Sequence, residues 1–253
     1  MGFTNSFNKP AIYFGFIKEF DVGKMYLSLS VKEKEKVSRL LKIDDRDLFI
    51  VSRCILKSII SKYINTRKNE VEISYTSFGK PYIEGASNLH FSVAHTKEIF
   101  VIAVSREYAT GIDVEHIERE INYEKLSSLL FTPKELELFS KSIPKQQNFI
   151  NSWTRKEAFC KAKGIGLSFP LDQLEISSLE GGKLEMLAAK WDKEENENWF
   201  IKNFDLPNNY RGAIAVNGPV NGFELIHVLK ENINLESQDK LKTNNLLKHA
   251  LHN

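Results

Sequence analysis

The sequence predicts an α+β fold. Its helix-like and strand-like runs are mixed without the steady alternation of a doubly wound parallel sheet, and its second part opens on helices and closes on short strands. Its 253 residues, 42% apolar and 27% charged, are enough for one large domain or two modest ones with a real hydrophobic core.

The elements follow in order. "AIYFGFI" (Ala11 to Ile17) is an apolar opening strand. "SVKEKEKVSRLLK" is a basic, exposed helix with Ser30 and Glu33 in capping-box register. In "DDRDLFIVSRCILKSIISKYI", Leu48, Val51, Ile55 and Ile59 recur at helical spacing with Cys54 beside them, which predicts a long buried helix. "VEISYT" is a strand, and "FGKPYI" a Gly- and Pro-punctuated turn into another. "LHFSVAHTKEIFVIAVS" holds two strands around a polar break at His95 to Glu98, and "TGIDVEHI" is the next strand. "FTPKELELF" is a helix with Thr132 as N-cap, Pro133 in its first turn and Glu135 closing the box. "QQNFINSWTRKEAFCKAKGIG" is a helix that ends at Gly164 and Gly166. Strand-like "LEIS", "WFIKNF", "RGAIAV" and "FELIHVL" follow, and the polar tail from Glu231 reads as a poorly ordered end or a lone surface helix.

Composition excludes several classes. A net charge of +2 gives no bulk electrostatic case for nucleic acid or a membrane. No apolar run is long enough to span a bilayer, and two distant cysteines, Cys54 and Cys160, make no disulfide framework. Gly2 and Ser6 match the loose myristoylation pattern, which is too short to carry weight. The expected compartment is the cytoplasm.

Asp113 and Glu115 lie two apart on a strand, so they share a face with Cβ atoms roughly 7 Å apart. That spacing suits either an edge strand with charges in water or two ligands of one hard cation. Trp153, Glu157 and Lys161 fall at i, i+4 and i+8 on a helix. They form either a packed Trp beside a surface ion pair, or a stripe that offers Glu157 to a metal or proton and Lys161 to a phosphate. His95, Lys80 in "GKP", and the Lys34–Lys36–Arg39 helix face are each, taken singly, structural or solvated residues as readily as ligands.

In order along the chain, the Lys-rich helix, "GKP", "FSVAHT", "GIDVE" and "WTRKEAFCKAKGIGL" resemble the 4′-phosphopantetheinyl transferases, specifically their larger single-chain type that serves peptide and polyketide synthases. The resemblance runs from about Tyr13 to Val228. It implies two similar lobes related by a pseudo-twofold, an N-terminal one over 1–108 and a C-terminal one over 109–230, with the site in the cleft between them and the tail at 231–253 outside. It implies transfer of the 4′-phosphopantetheine arm of coenzyme A to a serine of an apo acyl or peptidyl carrier protein, with release of 3′,5′-ADP, by a monomer.

The resemblance also implies roles for residues. Asp113, Glu115 and Glu157 would be ligands of Mg²⁺ (with Mn²⁺ as a substitute), Glu115 the weakest of them. Glu157 would double as general base, and Lys161 would stabilise the transferring or leaving phosphate. His95 would meet the phosphates of coenzyme A, Lys80 its nucleotide end, and Lys34 and Lys36 its 3′-phosphate. Two positions depart from the family. Ala94 stands where a Ser often precedes the histidine, so one phosphate hydrogen bond is absent unless Thr96 or Ser92 supplies it. Leu48 stands where the family has an arginine, which either leaves that role to Arg46 or Arg53 or weakens coenzyme A binding. Carrier docking would fall on Phe131 to Lys145 and the start of the Trp153 helix. The competing expectations are a retired relative that binds coenzyme A or a carrier without transfer, and another Mg²⁺-dependent phosphohydrolase or nucleotidyl transferase.

Overall fold

The computed structural model describes residues 9–166, 169–178, 184–189 and 199–232; the tail from Glu231 lies almost wholly outside them. In chain order the strands are β1 (Ala11–Phe16), β2 (Ser74–Tyr75), β3 (Pro81–Tyr82), β4 (Leu89–Thr96), β5 (Ile99–Arg106), β6 (Thr110–His116), β7 (Leu174–Ser178), β8 (Leu184–Ala189), β9 (Trp199–Leu206), β10 (Tyr210–Asn217) and β11 (Glu224–His227). The helices are α1 (Val22–Leu27), α2 (Val31–Arg39), α3 (Ile43–Tyr63), α4 (Tyr123–Leu130), α5 (Pro133–Lys141) and α6 (Lys145–Lys163). The mixed helix-and-sheet class is as the sequence predicts.

One sheet runs β11-β1-β5-β4 and a second β6-β10-β9. Burial orders them into layers. Tyr13, Phe91, Phe100, Ile102 and Val104 face α3 in one core. Their neighbours along the same strands, Ile12, Phe14, Ile99, Val101 and Ala103, face the other way and pack on Ile112, Val114, Ile214 and Val216 of the second sheet. The far side of that sheet, Ala213 and Ala215, packs on Ala158, Phe159 and Ala162 of α6. The order is therefore helix, sheet, sheet, helix. Strand β5 is buried on both faces, which is why it reads as an unbroken apolar run and not an alternating one.

Local chemistry sets the ends of the elements. Both predicted capping boxes form, Ser30 with Glu33 on α2 and Thr132 with Glu135 on α5. Helix α6 stops at Gly164, whose φ of 71° is the left-handed region that favours glycine. The predicted strand "VEISYT" shrinks to the two residues of β2, paired with β3 across the Gly79 turn. The short helices α1 and α4 have no counterpart in the sequence reading; each is three turns or fewer, too short for apolar periodicity to declare itself. The last described strand, β11, does not stay with the second sheet. It pairs in parallel with β1, Ala11 opposite Glu224 through Phe14 opposite His227. No helix among the described residues is long and apolar enough to cross a membrane.

The two sheets meet at β4 and β6, where the Ile112 amide donates to Ser92 Oγ at 3.2 Å. On the opposite side of β6, α6 approaches so closely that Gly111 is obligatory. A Cβ there would lie 2.0 Å from the Ala158 carbonyl oxygen and 2.3 Å from the Ala162 nitrogen. Gly111→Ala is expected to cost about 3 kcal/mol of unfolding free energy, because only backbone movement relieves the overlap. Urea unfolding checks this; a midpoint equal to that of the unsubstituted protein would show that the helix retreats freely.

Candidate active site

The α6 side of β6 carries the candidate acids. The alternation that turns Ile112 and Val114 toward the first sheet turns Asp113 and Glu115 toward α6. Neither acid faces water: Asp113 is 7% exposed and Glu115 8%. β6 is an outer strand of its sheet, but its two acids are buried, so the reading of charges facing water is set aside. Across from them α6 presents Glu157, 6% exposed, with Lys161 one turn on.

The positive charges are near. Lys161 Nζ lies 2.6 Å from Asp113 Oδ1, so its partner is Asp113 and not the expected helix neighbour Glu157. Arg119, in the turn after β6, pairs with Glu115 Oε1. Thr96 Oγ1 donates to Glu115 Oε2 at 3.4 Å, and the Trp153 indole lies near enough to the same carboxylate to favour its charged form. Two oxygens of the trio remain buried without a partner, Asp113 Oδ2 and Glu157 Oε1. Buried carboxylate oxygens in proteins are nearly always satisfied, so two orphans facing one layer mark a place built for another donor or cation.

Electrostatics agree with that placement. Burial, then the neighbouring Asp113, push the Glu157 carboxyl up to about 7, with Lys161 opposing. Burial raises Asp113 as well, against the pull of Lys161, and burial followed by the Asp113 charge raises Glu115. Burial pushes the Cys160 thiol up to about 12, so this cysteine is an inert core residue although it adjoins Glu157.

Among the described residues no three His, Cys, Asp or Glu side chains are gathered closely enough to hold a metal ion as they stand. Asp113 and Glu115 are each drawn to a cationic side chain. The residues nonetheless fit a hard cation in kind: all the candidate donors are carboxylate oxygens, and two of those oxygens are unpartnered.

A cavity of 460 Å³ opens beside the acids. Glu157, Lys161 and Ser92 line one part of it, and Lys80, Gly79 and Pro81 of the β2–β3 hairpin line another. Lys80 spans the gap, its Nζ donating to the carbonyl of Ala162 at the end of α6 and its stem lying against Gly164. Burial, and then Lys163, lower its ammonium to about 8. A second cavity, of 190 Å³, shares Gly79, Pro81 and Val93 with the first and adds His95, Lys36 and Arg53. The two form one groove that runs from the acids to a cationic end. Burial and the Lys161 charge lower the His95 imidazole, which favours its neutral form. His95 and Thr96 also border a third cavity of 900 Å³ beyond the β4–β5 turn.

The structure does not bring Lys34 to that groove with Lys36. Two residues apart on a helix point about 200° apart. Lys36 lies over the Phe49 and Tyr75 rings, whereas Lys34 lies over Tyr26 and reaches the Leu27 carbonyl. Of the two arginines offered in place of Leu48, Arg46 is committed to the Leu40 carbonyl at 2.6 Å. Arg53 lines the groove, bonded to the Tyr75 hydroxyl. Leu48 and Ala94, the two departures, are both 5% exposed and fill core. Ser92 lines the cavity while accepting from Ile112, so its own hydroxyl proton is free to point there; Thr96 spends its proton on Glu115.

Lys156 is a structural neighbour of the site that no sequence motif singles out. It is wholly buried next to Glu157, its Nζ 2.6 Å from Glu135 Oε2 and 2.7–2.8 Å from the carbonyls of Leu130, Leu171 and Leu174. The signal was present, because Phe149, Trp153, Lys156 and Cys160 share one stripe at helical spacing, and a lysine on an apolar stripe must find partners inside. Arg119 gave no such sign: its pairing with Glu115 depends on a turn that no periodicity announces.

Comparison with known proteins gives consistent matches. Residues 109–215 match a profile described as the 4′-phosphopantetheinyl transferase superfamily, and residues 19–107 one described as 4′-phosphopantetheinyl transferase, N-terminal. The chain is 31% identical over 208 residues to the 4′-phosphopantetheinyl transferase HetI of a Nostoc species, covering 79% of this chain and 83% of that one. It is 25% identical to the 4′-phosphopantetheinyl transferase ffp of Bacillus subtilis, over 80% of this chain and 88% of the relative. The human L-aminoadipate-semialdehyde dehydrogenase-phosphopantetheinyl transferase is 24% identical, with 76% and 68% covered.

Two measurements test the electrostatics. The folded protein holds the Glu157 proton more tightly than the unfolded chain, so it should lose stability as pH rises from the ordinary value of 4.5 through about 7. In EDTA, Glu157→Gln should lack that loss and lead the unsubstituted protein by roughly 3 kcal/mol at pH 8. Parallel stability curves would remove the raised carboxyl. Lys156→Met should cost about 3–5 kcal/mol by stranding Glu135 in the interior, read by chemical unfolding at neutral pH. A loss below 1 kcal/mol would mean that the pair is not the anchor its geometry suggests.

Proposed function

The chain belongs to the 4′-phosphopantetheinyl transferase superfamily, and from that premise we propose that it moves the phosphopantetheine arm of coenzyme A onto a serine of an apo acyl or peptidyl carrier protein. The observation that carries the reading to these residues is the buried acid layer at the lip of a groove. Glu157, Asp113 and Lys161 sit at one end, and Lys36, Arg53 and His95 lie toward the other.

In this reading the serine oxygen attacks the phosphorus that carries the pantetheine arm. The bond from that phosphorus to the bridging oxygen breaks, and 3′,5′-ADP leaves with the bridging oxygen. Glu157, poised near neutral pH, takes the serine proton. Lys161 is the cation nearest the reacting phosphate, released to it from Asp113, and offsets charge that grows on the oxygens during transfer. Neutral His95 and the Ser92 hydroxyl orient the phosphates, and Lys36 and Arg53 bind the nucleotide end. Mg²⁺, held by Asp113 and Glu157 with Glu115 as the third candidate ligand, would neutralise the pyrophosphate.

The proposal includes a monomer of two lobes, 1–108 and 109–230, with the groove between them, acting in the cytoplasm on carriers of peptide or polyketide synthesis. Carrier docking is assigned to the region from Phe131 to Lys145, where Leu138 and Ile143 are exposed beside Lys134 and Lys141.

The test is intact-protein mass spectrometry of an apo carrier incubated with this protein, coenzyme A and Mg²⁺. The expected result is a gain of one phosphopantetheine arm, abolished by EDTA. Asp113→Ala should slow transfer by about a hundredfold or more while remaining folded. A mass gain that survives EDTA and Asp113→Ala would remove the metal assignment, and no gain across several carriers with coenzyme A bound would favour a binding protein.

A further inference from the structure

We infer that Arg119 is a positioning residue that holds Glu115 in reserve, so that a divalent cation has to displace the Arg119 guanidinium before Glu115 can ligate it. The inference rests on the metal reading above. The three acids differ in what their oxygens do. Asp113 and Glu157 each keep one buried oxygen without a partner. Glu115 has both engaged, Oε1 by Arg119 and Oε2 by Thr96.

The pair is lopsided. The Glu115 side chain is 10% exposed and the Arg119 side chain 46%. The guanidinium can swing outward and be hydrated, at the small cost of a surface ion pair. The carboxylate cannot follow, and leaving it bare in the interior is costly, so something positive must replace the arginine when it goes. The backbone of the turn is fixed while the side chain moves. The Arg119 amide donates to the His116 carbonyl at 3.1 Å, and its own carbonyl accepts from Gln146 Nε2 at 3.2 Å, which ties the turn to the start of α6. The arrangement gives an order of engagement, with Asp113 and Glu157 meeting the cation first and Glu115 last.

Mg²⁺ titration by calorimetry tests this, with Trp fluorescence as a second signal because Trp153 adjoins Glu115. Four full-length proteins are compared: unsubstituted, Arg119→Ala, Glu115→Gln and the double variant. Arg119→Ala should bind Mg²⁺ about fivefold more tightly, since the competing charge is gone. The gain should vanish in the Glu115→Gln background. Unchanged or weaker Mg²⁺ binding by Arg119→Ala overturns the inference. An equal gain with Glu115→Gln also overturns it, because the arginine would then act as bulk charge alone. If none of the four binds Mg²⁺, the metal reading itself fails, and the inference goes with it; that outcome is separable because the transfer assay stands apart from metal titration.

Discussion

The contact between β6 and α6 is the constraint on which the remaining geometry depends. Gly111 lets the helix backbone rest on the strand with no side chain between them. At that separation Asp113 and Glu115, two and four residues along the strand, come under Glu157 and Lys161. A bulkier residue at 111 would lift the helix, and the carboxylates would be wetted and separated. Lys156 fixes the same helix from its other flank, reaching the ends of α4 and β7 and the capping carboxylate of α5. Strand and anchor together leave α6 little freedom to rotate or slide, so the site is positioned by packing that is itself remote from any substrate.

Two sets of buried acids sit on opposite sides of this helix, and the protein treats them differently. Glu135 is satisfied on every side: it closes its own capping box, accepts from the Ile176 amide and pairs with Lys156. Such a carboxylate holds elements together and has no capacity left. Asp113 and Glu157 keep open oxygens at comparable burial. Unlike Glu135, these two carboxylates retain capacity for a further donor or cation.

Much of this was legible in the sequence. The capping residues of α2 and α5, the glycine stop of α6 and the alternation in β6 are local signals, written within a few residues, and each has the structure its spacing implies. What could not be read depends on long-range geometry. That Lys161 would lie on Asp113 rather than Glu157 follows from the distance between a strand and a helix, not from the i, i+4 spacing along the helix. Lys34 and Lys36 look interchangeable as letters, and only the helix turn between them separates a groove-lining residue from one that lies on Tyr26. Between Arg53 and Arg46, and between Ser92 and Thr96, only the packing of α3 and β4 decides, which no local motif specifies.

The parallel pairing of β11 with β1 has a consequence for how the molecule is made. A ribosome releases β1 near the start of synthesis, but its neighbour at that edge is more than two hundred residues away in the chain. Until β11 emerges, β1 offers a bare row of backbone donors and acceptors, the kind of edge that recruits wrong partners. The half of the chain that emerges first therefore cannot finish its own sheet, and completion of that sheet reports that the second half has been translated and folded back. A truncated product lacking β11 would carry the acids of β6 and α6 intact and still present an adhesive edge, so quality control could distinguish finished from unfinished chains by a strand that takes no part in the chemistry.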